Sequence, residues 1–286
     1  MALTVQVRGQ GPYADAQRAA AAAAGWRVLE ESRPRPEAVA HALQVVILPD
    51  PLMAEVSEIT DLLARGISVA AQPPWHRTID EVSRLVEAQS SSRQPFLHME
   101  PLAYAPVFQA LRSRLNTLGT PHHIEVRSLW PAAVIPSGYD RTDLALTPIA
   151  LMLLIAHETA AGALTEVAVT APSAGSTDHT APLNTAPLNT APLDTAPLNT
   201  APLGISLRFA GGLRATVVAG STPGHHRLCE IQVASATGVL RAEILPTPQL
   251  EHNGVVVGLP PVATNPPELE MFGHLGQLRA LETALG

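Results

Sequence analysis

The chain has 286 residues, of which 46% are hydrophobic and only 3% aromatic, with a net charge of −7 and a pI near 5.9. That is enough for one large domain or two ordinary ones, with a core built from Ala, Val, Leu and Ile. The acidic balance and scattered basic residues exclude the basic face of a nucleic-acid binder, and no run approaches the roughly 20 apolar residues of a membrane span.

All 18 basic residues are arginine. A chain without lysine can form no lysine Schiff base and offers no P-loop lysine to a nucleotide phosphate. The N-terminus lacks a basic-then-apolar signal pattern, and a single cysteine, Cys229, cannot form an internal disulfide. A cytoplasmic protein is expected.

Leu3 to Val7 reads as a strand and ends in Gly9-Gln10-Gly11-Pro12-Tyr13-Ala14. An Ala-rich helix follows to Ala24. Trp26 to Leu29 and Gln44 to Leu48 are further strands, largely apolar, as parallel strands buried on both faces should be. Met53 to Arg65 is an amphipathic helix stopped by Gly66, and Ile67 to Ala71 a strand. Thr78 can cap a helix to Ala88, with Glu81 three residues on. Phe96 to His98 is a short strand and Ala105 to Leu118 a helix. This alternation predicts an α/β Rossmann-like domain over residues 1–120, wound around a parallel sheet.

The rhythm then changes. A strand at His123 to Leu129 and a helix at Leu144 to Ala160 precede a run of strands: Leu164 to Thr170, Ile205 to Phe209, Arg214 to Ala219, Leu228 to Ala234, Val239 to Leu245 and Val255 to Gly258. A closing helix spans Pro267 to Leu285. Residues 121–286 thus read as a second, α+β domain with an open, mainly antiparallel sheet. Its alternating apolar faces call for a cover, either a partner or the chain's own helices. Between two of its strands, in a segment 171–203, stands TAPLN-type sequence repeated every five residues from Thr180. Proline at that spacing prevents a regular helix or central strand. A pentapeptide solenoid is the rival, but five units make little more than one coil. The repeat reads as a surface insertion.

The order of these parts resembles the Gfo/Idh/MocA family of NAD(P)-dependent oxidoreductases. The segment QVVILPDPLMAEVSEITDLLARGISVAAQPPWHRTIDEVSRLVEA, Gln44 to Ala88, looks like the family's strand, proline-containing turn, helix, strand, proline motif and helix. RFAGGLRATVVAGS, Arg208 to Ser221, looks like its sheet hairpin. The resemblance implies a cofactor site at Gly9, Gly11, Pro12, Tyr13 and Ala14, which fit G-x-G-x-x-A. It further implies Glu30 at the ribose, Asp50 and Pro51 in the proline-containing turn, and Gln72 and Pro73 in the proline motif. Glu30 favours NAD, whereas Arg33 and Arg35 could hold the extra phosphate of NADP. The plain alternative is a strand-to-helix turn that binds nothing.

Three departures bear on that alternative. Only Ser32 to Leu43 separates the second strand from the third, so the sheet has lost a strand beside the adenosine pocket. The family's E-K-P motif reads Gln72-Pro73-Pro74, without its lysine. The helix that carries the family's Asp and His reads LALTPIALMLLIA.

Other polar groups are candidates for the missing proton transfer: His76 after the proline motif, His98 at a strand end, Tyr104 in the following turn, and Tyr139 and Asp140 in SGYDRTD. Each is equally a polar residue at a strand or loop end. His122-His123 and His225-His226 lie on adjacent strand positions that face opposite ways, and no metal site is expected. Two functions stay open: a divergent NAD(P)-dependent oxidoreductase acting on a carbonyl or imine carbon of a small molecule, and a repurposed relative without redox activity. The latter is either a cofactor-independent lyase or cyclase, or a binding or assembly subunit. By resemblance, a homo-oligomer through the C-terminal sheet is expected.

Overall fold

Short β-branched and alanine-rich runs build the first sheet. Strands β1 (Thr4–Val7), β2 (Arg27–Leu29), β3 (Val45–Leu48), β4 (Ser68–Ala71) and β5 (Phe96–His98) are all parallel, in the order β2-β1-β3-β4-β5. Strands β3 and β4 are buried at every position, as central strands covered on both faces must be. The structure is a computed structural model and describes residues 2–29, 43–49, 55–72, 78–135, 141–170, 202–222, 224–263 and 267–285.

Helix α1 (Pro12–Ala23) leaves the glycine turn after β1, with Pro12 at its first position, where no donor is needed. Helices α2 (Val56–Ala64) and α3 (Ile79–Ser92) follow β3 and β4. The expected cap of α3 is a full capping box, with Thr78 and Glu81 each bonding the other's backbone N–H. Ile59, Leu62, Leu63 and Leu85 of these two helices pack on Val46, Leu48, Val69 and Ala71. The opposite face of the sheet carries Val5, Val7, Val45 and Ile47.

That opposite face is closed from the far end of the sequence. Instead of one helix from Pro267 to Leu285, the chain forms α6 (Glu268–Met271) and α7 (His274–Leu285), broken at Gly273. The break falls where the backbone leaves the helical region: Gly273 has φ +81°, and its close approach to the Pro101 carbonyl leaves no room for a side chain. Leu269, Leu278 and Leu281 then join the cluster around β1 and β3.

The two compact units are therefore Met1–Ala105 with Pro261–Gly286, and Pro106–Pro260. The division expected at residue 120 moves to the start of α4 (Pro106–Arg114), and the terminal helices belong to the first unit. Helix α4 goes with the second unit because it packs on that unit's strands β11 (Val239–Leu245) and β12 (Gln249–His252).

Among the described residues the second unit holds one sheet of eight strands. It adds β6 (Pro121–Pro131), β7 (Leu164–Thr170), β8 (Leu203–Phe209), β9 (Arg214–Thr222), β10 (Leu228–Ser235) and β13 (Val255–Val257), in the order β13-β12-β11-β10-β6-β9-β8-β7. Only β6 and β9 pair in parallel; the other neighbours are antiparallel. β12 is absent from the sequence reading. It forms a hairpin with β13 through Asn253-Gly254, both at positive φ (51° and 77°), as a tight two-residue turn requires.

Alternate residues Cys229, Ile231 and Val233 of β10 point inward and are buried. The apolar face that called for a cover is met by the chain's own α4 and by α5 (Arg141–Glu158), which packs on β6, β8 and β9. The other face is polar: Arg241 on β11 donates to Glu230 at 2.6 Å and lies 3.8 Å from Glu251, linking three neighbouring strands. Among the described residues no helix is long and apolar enough to cross a membrane.

Thr170 and Gly204 are paired, so the chain leaves β7 and re-enters β8 at one place. Leu203 and Gly204, assigned to the repeat or its border, are strand residues of β8. The repeat units before them lie outside the described residues. Deleting Thr180 to Asn199 is expected to leave the melting temperature and solution size unchanged. Scanning calorimetry and light scattering check this, and a large loss of stability would make the repeat part of the fold.

Candidate functional site

The C-terminal ends of β1, β3, β4 and β5 lie in one row on one edge of the parallel sheet. The strand order reverses between β1 and β3, and ligands of open α/β sheets bind in the crevice outside such a reversal. Arg8, the first residue after β1, bonds its N–H to the Ile47 carbonyl at 3.0 Å and pairs its side chain with Glu58 of α2.

The glycine turn opens at this point. Gly9 has φ +84° and Gly11 φ +96°, both in the region that disfavours side chains. A Cβ placed on either glycine would meet nothing within 4 Å. The glycines thus keep a space clear at the N-terminus of a twelve-residue helix, where backbone N–H groups and the helix dipole favour an anion. Ala14 is buried in the core cluster around β1, where a larger side chain would push helix and strand apart. Pro12 is exposed and Tyr13 half-buried. These are features that an anion such as a diphosphate requires.

Gln72 follows β4 on the same edge, half-buried, with its N–H bonded to the Leu48 carbonyl at 3.0 Å. His98 ends β5 and is exposed. Three strand spacings separate β1 from β5, which puts His98 about 14 Å along the edge from the glycine turn. Tyr104 ends a 3-10 turn, Pro101–Tyr104, and is 36% exposed. His98 and Tyr104 line one small pocket with Ala70, Met99, Gln277 and Leu278. Glu30, Asp50, Pro51, Pro73, His76, Tyr139 and Asp140 lie outside the described residues.

Sequence reasoning missed the polar residues that α1 and α7 contribute. Gln17 and Gln277 are both buried, and the side-chain oxygen of each has no hydrogen-bond partner. The Gln17 amide lies 3.0 Å from His274 Nδ1, within hydrogen-bond distance. Burial lowers His274 from 6.5 to about 4. No local pattern signals this group, because it joins residues 257 positions apart. Among the described residues, no group of three or more His, Cys, Asp or Glu is placed to hold a metal ion.

No protein-family profile matches the sequence, and neither does any curated protein. Solved structures do match over nearly the whole chain. GenD2 from gentamicin A biosynthesis, in complex with NAD, superposes with a TM-score of 0.67 at 16% identity, over 99% of this chain and 86% of that one. A dehydrogenase from Chromobacterium violaceum gives 0.67 at 15% identity, again over 99% and 86%. The scyllo-inositol dehydrogenase from Lactobacillus casei, with bound NAD(H) and scyllo-inositol, gives 0.65 at 12% identity, over 99% and 90%. At such identities the likeness is one of fold. The fold is the two-domain one of Gfo/Idh/MocA-type dehydrogenases.

Proposed function

We propose, with the Gfo/Idh/MocA-type dehydrogenase fold as premise, that this chain is an NAD(P)-dependent oxidoreductase acting on a carbonyl or imine carbon of a small molecule. The observation that supports this reading is the glycine turn, with two left-handed glycines and open space at the point where the strand order reverses. Gly9, Gly11, Pro12, Tyr13 and Ala14 would hold the diphosphate, with Glu30 at the ribose and Asp50, Pro51, Gln72 and Pro73 as further cofactor contacts implied by the family resemblance. The bound cofactor supplies the hydride donor or acceptor.

Proton transfer falls to the chain's own side chains, and none is a lysine. Tyr104 is the proposed donor, with His98 beside it in the same pocket. His76, Tyr139 and Asp140 are the other candidates. A screen of cyclic polyols, the class named for one similar structure, with NAD and NADP tests the reading. Reduced cofactor should form with at least one of them. Tyr104→Phe should lower kcat by about 100-fold or more, as loss of a general acid does. Unchanged turnover in both Tyr104→Phe and His98→Ala would remove these two from the chemistry.

One observation favours a second reading. A chain without lysine, with Pro73 where the family's lysine stands, suits a relative that has left redox chemistry. It would then be a cofactor-independent lyase or cyclase, or a non-catalytic subunit. No binding of NADH or NADPH up to millimolar concentration would favour this reading. A homo-oligomer through the second unit's sheet, expected from the family resemblance, belongs to either version. Sedimentation at the mass of one chain would remove it.

A further inference from the structure

We infer that Arg18 is a positioning residue that holds the glycine turn open to a diphosphate; the ligand in this statement rests on the function proposed above. Arg18 lies on α1, and its Nη2 donates to the Val7 carbonyl at 3.4 Å and, in a short contact, to the Gly9 carbonyl. Its Nη1 donates to Asp15 at 2.9 Å. One guanidinium thus ties the end of β1, the first glycine and the first turn of the helix together. Among the described residues the pairing of β1 with β2 runs to Gln6↔Leu29, and Arg18 holds the carbonyl of the next β1 residue, Val7.

The direction of these bonds is what matters for an anion. In a trans peptide the C=O and the N–H point opposite ways. Fixing the Gly9 carbonyl on Arg18 therefore turns the Gln10 N–H away from Arg18, and Gln10 is exposed. A concavity that presents N–H groups and hides carbonyls is what an anion requires. Two glycines in one turn would otherwise leave the backbone many conformations. Clamping two carbonyls removes most of them before a ligand arrives, which lowers the ordering cost of binding. The Asp15 pair alone would do little, since Asp15 is 71% exposed and such pairs are weak.

The test uses Arg18→Met and Arg18→Lys in the full chain. Arg18→Met should raise the Kd for NADH by about tenfold or more through lost preorganisation. It should leave the affinity for adenosine, which has no diphosphate, unchanged. Hydrogen exchange at Gly9, Gln10 and Gly11 should quicken while the rest of the sheet stays protected. Arg18→Lys should recover part of both effects, because an ammonium keeps the charge without the fork. Unchanged exchange in Arg18→Met, or an equal loss of adenosine and NADH binding, overturns the inference. If the wild type binds no dinucleotide, the proposed function fails by itself, and inorganic pyrophosphate becomes the probe. A melting shift by pyrophosphate in the wild type but not in Arg18→Met sustains the inference, and no shift in either overturns it.

Discussion

Gly273→Ala should cost the protein about 3–5 kcal/mol of stability, the range of backbone clash and strain at a buried position. A Cβ at Gly273 would stand 1.8 Å from the Pro101 carbonyl oxygen and 2.7 Å from the Ala105 nitrogen, both backbone atoms that cannot rotate aside. Its φ of +81° adds strain for any L side chain. The damage would spread, because this contact lets α7 turn and seat Leu278 and Leu281 on the sheet. Gly254→Ala is the control. It has φ +77° and no neighbour within 4 Å of an added Cβ, so it should lose only about 1 kcal/mol. Chemical denaturation reads both. A Gly273→Ala protein within about 0.5 kcal/mol of the wild type, the size of an ordinary surface change, would contradict the packing described.

Acid should destabilise the first unit through His274. Burial lowers its folded value to about 4 from 6.5, so the fold favours the neutral ring. The sign follows from linkage: an unfolded chain binds the proton first, so the stabilisation is complete above about pH 6.5 and is lost as pH falls toward 4. At about 1.36 kcal/mol per pH unit, the loss reaches about 3 kcal/mol at most, and less where the ring keeps contact with water. His274→Gln should flatten the fall in melting temperature between pH 6.5 and 4. The same slope in variant and wild type would show that other groups carry the acid limb.

Local signals made much of the fold legible. The turn Gly9 to Ala14 stands between strand and helix as its spacing requires, and Thr78 with Glu81 forms the expected capping box. Strands rich in Val, Ile and Ala fell where alternation or continuous burial demanded them. What escaped were relations set by tertiary contact. The return of α7 to the first sheet, and its break at Gly273, depend on Pro101, which is 172 residues earlier, and nothing near Gly273 announces that. Strand β12 had a usable signal in Asn253-Gly254 that the reading passed over. In the candidate site, His98 and Tyr104 share a pocket as one chain segment would suggest, but Gln277 joins them only through the fold. Arg18 illustrates the limit: its spacing from Asp15 shows in the sequence, whereas its grip on the Gly9 carbonyl is a property of the folded turn.

The most direct measurement is a calorimetric titration of the purified chain with NADH and with NADPH, beside the Gly11→Asp variant. Aspartate at φ +96° strains the turn and sets a negative charge in the space kept clear for a diphosphate. A dinucleotide site at this turn predicts micromolar binding of one cofactor by the wild type and none by the variant. No binding at millimolar nucleotide, or equal binding by both proteins, would contradict it.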